Sequence, residues 1–525
     1  EGQHVRHLEP MGFIKFDILG LSTLAMIDGS IRHILKRHHG VPEPTFADVK
    51  EYYDVHLSPD TIDLTNQDVY ENIFHNGKWA GIFQFTEKGA QAFCRRAKPT
   101  SIIDISAITS IFRPGPLSAK VDDEYVDAKK SPQYIKYAHP LIEEVTQETY
   151  GFLIFQEQIA ILAHKLGKDL SLDEGNKLRK LLTKKGAGEG HEAKMKIHAK
   201  FIEGCVEKGI QRDISQSIWD KFEYFSGYGF NKSHAVSYSI LSYQCAWLAH
   251  HYPAEWMAAF LDKEPESRKE KAINIAKGFG FKIKKLDVNT SGRVWEISED
   301  GHTLIQPLTS IKGFGDAAID QILNNRPFNT IEDFLFNESI TYSKLNKKAV
   351  DVLVRSGAMS SLVDTRFSGL KHFWSAVAVD RPRKVKQLED NIERYRPEGE
   401  FDTEELIQYT VDLTGVFPMG EVMNRKIRQS LENKFIPPIG EFDPELQLTW
   451  FIPRKILPRK TKHNKEYWVV EVIDDTGHTT SIKCWGVNSN RDILFLNRPY
   501  MAKLDYHPTW GYSTRSIRHN FRLLS

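Results

Sequence analysis

The sequence holds no apolar run approaching the ~18 residues that a membrane span requires, and no signal-peptide pattern opens it. No membrane partner is therefore expected. Cysteine is scarce. Cys94, Cys205, Cys245 and Cys484 lie far apart, with no CxxC and no Cys/His ligand spacing, so reduced, buried thiols are expected and a structural zinc is not. Charge of either sign is not in surplus: 70 Lys and Arg against 69 Asp and Glu leave a net +1. Any contact with a polyanion must come from local clusters. What is present, 41% hydrophobic and 26% charged residues, is the composition of an ordinary globular chain, and 525 residues allow roughly three or four domains.

The stretch FIKFDILG, residues 13–20, alternates as a half-buried strand does, with Ile14, Phe16 and Ile18 on one face and Lys15 and Asp17 on the other. An Asp two residues from a Lys can hold a divalent cation while the Lys meets the anion that the cation carries; an ordinary ion pair on an exposed strand is the alternative. A helix follows, with Leu24, Ile27, Ile31 and Leu35 in helical spacing and Gly40 as its stop. Residues 66–85 read as a helix and a strand. FRPGPLS, residues 112–118, predicts a rigid extended turn with Arg113 at its edge. The run from Tyr150 reads as a strand passing through Gln156, Glu157 and Gln158 into a buried helix. On the next helix, from about Leu172, Lys177, Lys180 and Lys184 share a face with Arg179 beside them, a ridge that is either solvated or faces phosphate. From Phe225, Gly227 and Gly229 allow a tight turn, and Asn231, Lys232, Ser233 and His234 form a polar tip. The helix after them is apolar enough to be buried on nearly all sides, and Pro253 opens another.

KFDILGL, GIFQF, FRPGPL, YGFLIFQEQ, LRKLLTKKG, GYGFNKSHAVSYSILSYQ and HYPAEWMAAFL stand here in the order and approximate spacing of a known family. The chain resembles the bacterial replicative DNA polymerase III alpha subunit, the C-family polymerases. The resemblance implies that Asp17 matches the third catalytic aspartate of the palm, a Mg²⁺ ligand, and that Lys15 matches the lysine approaching the incoming dNTP. It implies that Arg179 and Lys180 fall on two arginines contacting the triphosphate, the second being lysine here, which loses the bidentate fork. Lys184 and Lys185 match a basic pair, preceded by Thr183 in place of the family's glycine, and Lys88 replaces an arginine. Arg113 is a further phosphate-facing candidate. Asn231, Lys232, Ser233 and His234 are candidates for approach to the DNA primer-template.

Downstream, LTSIKGFGDAAIDQIL from Leu308 has the form of a helix-hairpin-helix unit, whose amides at Gly313 and Gly315, beside Lys312, can meet DNA phosphates without reading sequence. LNKKAVDVLVRSGAM from Leu345 is a weaker second copy. Residues 379–409 are charged and irregular and read as a linker. From about Leu446 short strands, a Thr476-Gly477 turn and the basic loop 459–465 predict a small OB-type barrel that takes single strands, with Lys460, Lys462, Tyr467 and Trp468 as contacts. This module order resembles the Gram-negative-type alpha subunit.

The expected fold is multidomain α+β: a palm strand within 1–30, mostly helical fingers over 31–285, a tandem helix-hairpin-helix region over 286–378, a linker over 379–430 and the OB-type β-barrel over 431–525. Two-metal phosphoryl transfer needs several convergent carboxylates, and the family carries an Asp-x-Asp on a neighbouring palm strand. No such pair sits in an apolar strand setting here: Asp122-Asp123, Asp474-Asp475 and Glu299-Asp300 are adjacent and polar in context. The expectation is that Asp17 gives one ligand of a two-metal Mg²⁺ site. The remaining palm and thumb, with or without a phosphoesterase-like domain, would come from a second polypeptide or a missing N-terminal segment, as in a split or phage-encoded polymerase of the bacterial cytoplasm. The opening at Glu1, leading straight into a core strand, fits such a cut. ELIQY, residues 405–409, is a poor sliding-clamp motif and Gln387-Leu388 lacks an aromatic, so a clamp contact has no clear signal. The alternative function is a non-catalytic DNA-binding subunit that kept the fingers scaffold.

Overall fold

The computed structural model describes every residue except 1–4, 15, 17, 19, 119, 184–188, 227, 228, 266, 267, 489, 490 and 525. The chain divides into two compact units, Glu1–Trp256 and Met257–Ser525. Among the described residues no helix is long and apolar enough to cross a membrane.

The first unit is helical. Helix α1, Ser22–His38, buries Met26, Ile27, Ile31, Ile34 and Leu35 at helical spacing, while the expected face member Leu24 is 52% exposed. Helix α2, Ile102–Ile111, packs against a 20-residue helix, α5, Lys232–His251, with Ser106 Oγ donating to Ser239 Oγ at 2.9 Å. Ala235, Ser239, Leu241, Tyr243, Cys245 and Leu248 of α5 are buried, so this helix is covered on most of its faces, as its apolar sequence requires. Between them in sequence lie α3, Gln156–Leu166, and α4, Leu172–Thr183, which pack together over a core that includes Ile159, Leu162, Leu166 and Leu178. Gln158 closes the start of α3: its Oε1 accepts from the Ile154 and Phe155 amides at 2.9 Å, and its Nε2 donates to Thr149 Oγ1 at 2.8 Å.

Three local expectations are corrected in this unit. The described residues of 13–20 form no strand, and Ile14, Phe16 and Ile18 are 76%, 82% and 95% exposed. A strand requires an edge to pair with, and the β pairing in the described residues of this unit is a single bridge, Phe155 with Phe230. FRPGPLS does not stay extended: Pro114–Ser118 is a short helix, because a proline at the first helical position is pre-set for one. Residues 79–85 form turns, not a strand, with Trp79, Ile82 and Phe85 buried and Gln84 at φ 69°.

The second unit opens on helical segments, with the helix Lys269–Gly278 leading into a small three-stranded sheet, and continues into a helix-hairpin-helix core. Helices α6, Asp316–Asn325, and α7, Lys347–Arg355, contribute Ile319, Ile322, Val350 and Leu353 to it. Residues 379–409 are not irregular. They hold α8, Val385–Tyr395, and the start of α9, Thr403–Thr414, and Leu388, Ile392 and Leu413 enter the same core. The apolar stripe of α8 is so narrow, against charges on every other side, that composition hid it.

Seven strands complete the unit: β1 Leu448–Lys460, β2 Glu466–Ile473, β3 Thr479–Trp485, β4 Tyr500–Lys503, β5 Asp505–His507, β6 Gly511–Thr514 and β7 Phe521–Leu523. Their order is β7-β4-β1-β2-β3-β6-β5. The first residues of β1 pair with β4 and the rest with β2, with a register shift between Pro453 and Lys455. That bulge bends the strand and curls the sheet into the half-barrel of an OB-type fold. Phe451, Trp468, Val470, Ile482 and Cys484 fill its interior.

Candidate functional site

Within the first unit, the strongest gathering of sequence-predicted residues lies where α3 and α5 begin. The two starts are stitched by backbone bonds: Phe230 N donates to Ile154 O at 3.0 Å, and Gln156 N donates to Phe230 O at 2.9 Å. Gln156 Nε2 adds a bond to Gly229 O at 3.0 Å. Asn231 is the N-cap of α5, its Oδ1 accepting from the His234 amide and from Ser233 Oγ, each at 2.8 Å.

Glu157, in the first turn of α3, faces this cap. Its Oε1 accepts from Asn231 Nδ2 at 2.8 Å and from Arg179 Nη1 of α4 at 3.3 Å, and its Oε2 accepts from Lys232 N at 2.8 Å. The first amides of a helix have no intrahelical acceptor, so a carboxylate is well matched to Lys232 N. Lys232 Nζ donates to Glu148 Oε1 at 2.6 Å and lies 5.7 Å from the Phe155 ring centroid. Arg113 lies 4.5 Å over the Phe230 ring, and its Nε donates to Ser110 O at 2.8 Å. Burial lowers the Arg113 pKa from its ordinary value, which a guanidinium tolerates while staying charged.

The structure therefore brings Arg113, Arg179, Asn231 and Lys232 to one locality, with Ser233 and His234 exposed on the first turn of α5. The His234 ring lies tilted against that of Tyr238, 4.2 Å between centroids. Lys180 is exposed on α4, about 100° round the helix from Arg179. Lys15, Asp17, Lys184 and Lys185 lie outside the described residues. Glu157 and Glu148 were missed as site residues. An acid in the first turn of a helix is so ordinary that nothing in the sequence marked Glu157 as a partner for residues 22 and 74 positions away.

The described residues include no group of three His, Cys, Asp or Glu side chains placed to hold a metal ion. Mg²⁺ has no donor set among them.

Two surfaces of the second unit carry the other candidates. In the hairpin before α6, Gly313 takes φ +76°, a left-handed conformation open to glycine, and Gly315 caps α6. A Cβ at either would meet nothing within 4 Å, so the turn is unobstructed. The exposed Lys312 sends its amide to Leu413 O at 2.7 Å. On the barrel, Lys460 ends β1 opposite Glu466, and Lys462 stands exposed in the β1–β2 turn. Tyr467 stacks on Trp485 across β2 and β3, 4.5 Å between centroids, while Trp510 is 68% exposed with Lys483 Nζ 5.5 Å from its ring. Trp468 is corrected: it is buried in the barrel, because adjacent strand residues point to opposite faces.

Comparison with known proteins gives a consistent answer. The family described as the bacterial DNA polymerase III alpha subunit finger domain matches residues 30–209, and a helix-hairpin-helix motif family matches residues 280–368. The DNA polymerase III subunit alpha of Borreliella burgdorferi is 31% identical over 438 residues, 79% of this chain and 36% of the relative. That of Aquifex aeolicus is 30% identical over 480 residues, 90% of this chain and 38% of the relative. That of Campylobacter jejuni is 29% identical over 497 residues, 89% of this chain and 39% of the relative. The chain thus spans less than two-fifths of the length of these three relatives.

Proposed function

This chain belongs to the family of the bacterial DNA polymerase III alpha subunit, and from that premise we propose that it carries the fingers and DNA-binding modules of a C-family polymerase that extends a primer on a template. The observation that carries the reading is the cluster of Arg179, Arg113 and Lys232 at the start of α5. Arginine and lysine at a helix start suit the triphosphate of an incoming dNTP. Lys180, Lys184 and Lys185 would extend that charge, and Ser233 and His234 would face the nucleic acid.

Lys15 and Asp17 would belong to a palm whose other carboxylates lie outside this sequence, on another polypeptide or another segment. The exposed Ile14, Phe16 and Ile18 suit addition to a sheet edge supplied with it. Asp17 would be one ligand in a two-metal Mg²⁺ site, where the ions supply charge stabilisation of the attacking and leaving oxygens. Duplex would lie along the open Gly313–Gly315 turn and Lys312, and single strand on Lys460, Lys462 and the barrel's outward aromatics.

Primer extension with Mg²⁺ tests this, using the chain co-expressed with its genomic neighbours and compared with Asp17→Asn. Activity that requires the second chain and is lost with Asp17→Asn is expected. Incorporation by this chain alone would overturn the need for completion. Activity surviving Asp17→Asn, or DNA binding without activity in any combination, would leave a non-catalytic DNA-binding subunit.

A further inference from the structure

We propose that Glu157 is the positioning residue that aims Arg179 at the anion bound by the fingers, an inference resting on the triphosphate-facing reading of Arg179 given above. Arg179 sits on α4, its long side chain mostly covered but still 23% exposed, so the guanidinium is within reach of an incoming anion. Its tether is Glu157, met through a single guanidinium nitrogen at 3.3 Å.

The unequal strength of the bonds on Glu157 separates aiming from simple competition. The two shorter ones, both 2.8 Å, run to Asn231 Nδ2 and to the Lys232 amide. Both come from the start of α5 and neither involves Arg179, so they hold Glu157 in place when an anion draws the guanidinium away. The longer, one-point contact to Arg179 is of the partly exposed kind worth ~0–1 kcal/mol, weak enough for the guanidinium to turn toward a phosphate oxygen. A carboxylate that merely occupied the anion's place would grip the fork bidentately. Glu157 instead registers α4 against the start of α5. Glu148 meets the Lys232 ammonium at 2.6 Å, so two acids set the resting direction of two cations.

The test measures magnesium dATP binding to the full chain by equilibrium dialysis, for the unsubstituted protein, Arg179→Ala, Glu157→Gln, Glu157→Ala and the doubles with Arg179→Ala. Glu157→Gln keeps shape and an acceptor and carries the test if Glu157→Ala does not fold. The expected result is binding weakened roughly fivefold by either Glu157 substitution, about 1 kcal/mol, and no further loss when it is added to Arg179→Ala. Tighter binding in the Glu157 variants would make Glu157 a competitor and overturn the inference. Equal weakening in the Arg179→Ala background would overturn it in favour of a general structural role. If Arg179→Ala weakens binding and the Glu157 variants do not, this inference alone falls. If Arg179→Ala has no effect, or the unsubstituted chain binds no magnesium dATP, the fingers reading falls and takes the inference with it.

Discussion

Asp104 shows how much one buried side chain can hold. Its carboxylate is 2% exposed, accepting from Lys129 Nζ at 2.7 Å, from the Thr100 amide at 2.9 Å and from the Tyr125 and Tyr150 hydroxyls at 3.2 and 3.3 Å. Burial acts to lower the Lys129 pKa, but the charge and hydrogen bond of Asp104 raise it on balance. Asp104→Ala leaves that ammonium buried without its counter-charge, met still by the Tyr150 hydroxyl at 3.0 Å, and is expected to cost the first unit about 3–5 kcal/mol in a urea titration. Asp104→Ala combined with Lys129→Met should recover part of the loss, since the orphaned charge goes with it. None of this was legible in the sequence, where Asp104 reads as a polar interruption in an apolar run. Apart from Thr100, its partners lie 21, 25 and 46 residues away, and local spacing carries no record of them.

At the scale of elements, the helix Lys269–Gly278 presents Glu270 toward Arg454 and the Phe417 backbone. Glu270 Oε1 and Arg454 Nη1 have no hydrogen-bond partner among the described residues, and Arg454 lies 4.1 Å over the Phe417 ring. Burial raises the Glu270 pKa from 4.5 to about 7 against the pull of Arg454. The folded carboxyl thus holds its proton where the unfolded one has lost it. That stability is fully present below about pH 4.5 and is lost as pH rises through about 7. Glu270→Gln is expected to raise the stability of the second unit by roughly 1–3 kcal/mol at pH 8 and to change little at pH 4, read from thermal melts at the two pH values. Part of the pH dependence should survive, because burial also raises Asp262 to about 7. Elements with a strong period were legible: α1, α5 and the strands of the barrel follow their hydrophobic patterns. The exceptions included α8, whose stripe is narrow, residues 79–85, which turn where a strand was expected, and residues 13–20, whose alternation describes a strand with no described partner in this unit.

For the molecule as a whole, a net charge of +1 means that the nucleic-acid binding proposed above has to rest on local surfaces, the helix-hairpin-helix turn and the barrel being the ones proposed. Binding of oligo(dT) is expected to fall steeply with salt. Trp510→Ala should weaken it by about 1–3 kcal/mol, the range for removing one base-stacking ring, as measured by fluorescence anisotropy of labelled oligonucleotide. Unchanged affinity in that variant would remove the barrel's outer aromatics from the single-strand path. By itself the sequence determined the helical character of the first unit, the hairpin at Gly313, the strand-rich end and the family, because periodicity, turn residues and ordered motifs are properties of neighbours along the chain. Only the tertiary structure decided that Trp468 faces inward while Tyr467 and Trp485 face out, that α8 belongs to the helix-hairpin-helix core, and that Glu157 joins Arg179 to the cap of α5. Those are contacts between distant segments, fixed by which surfaces meet once the apolar faces have been buried.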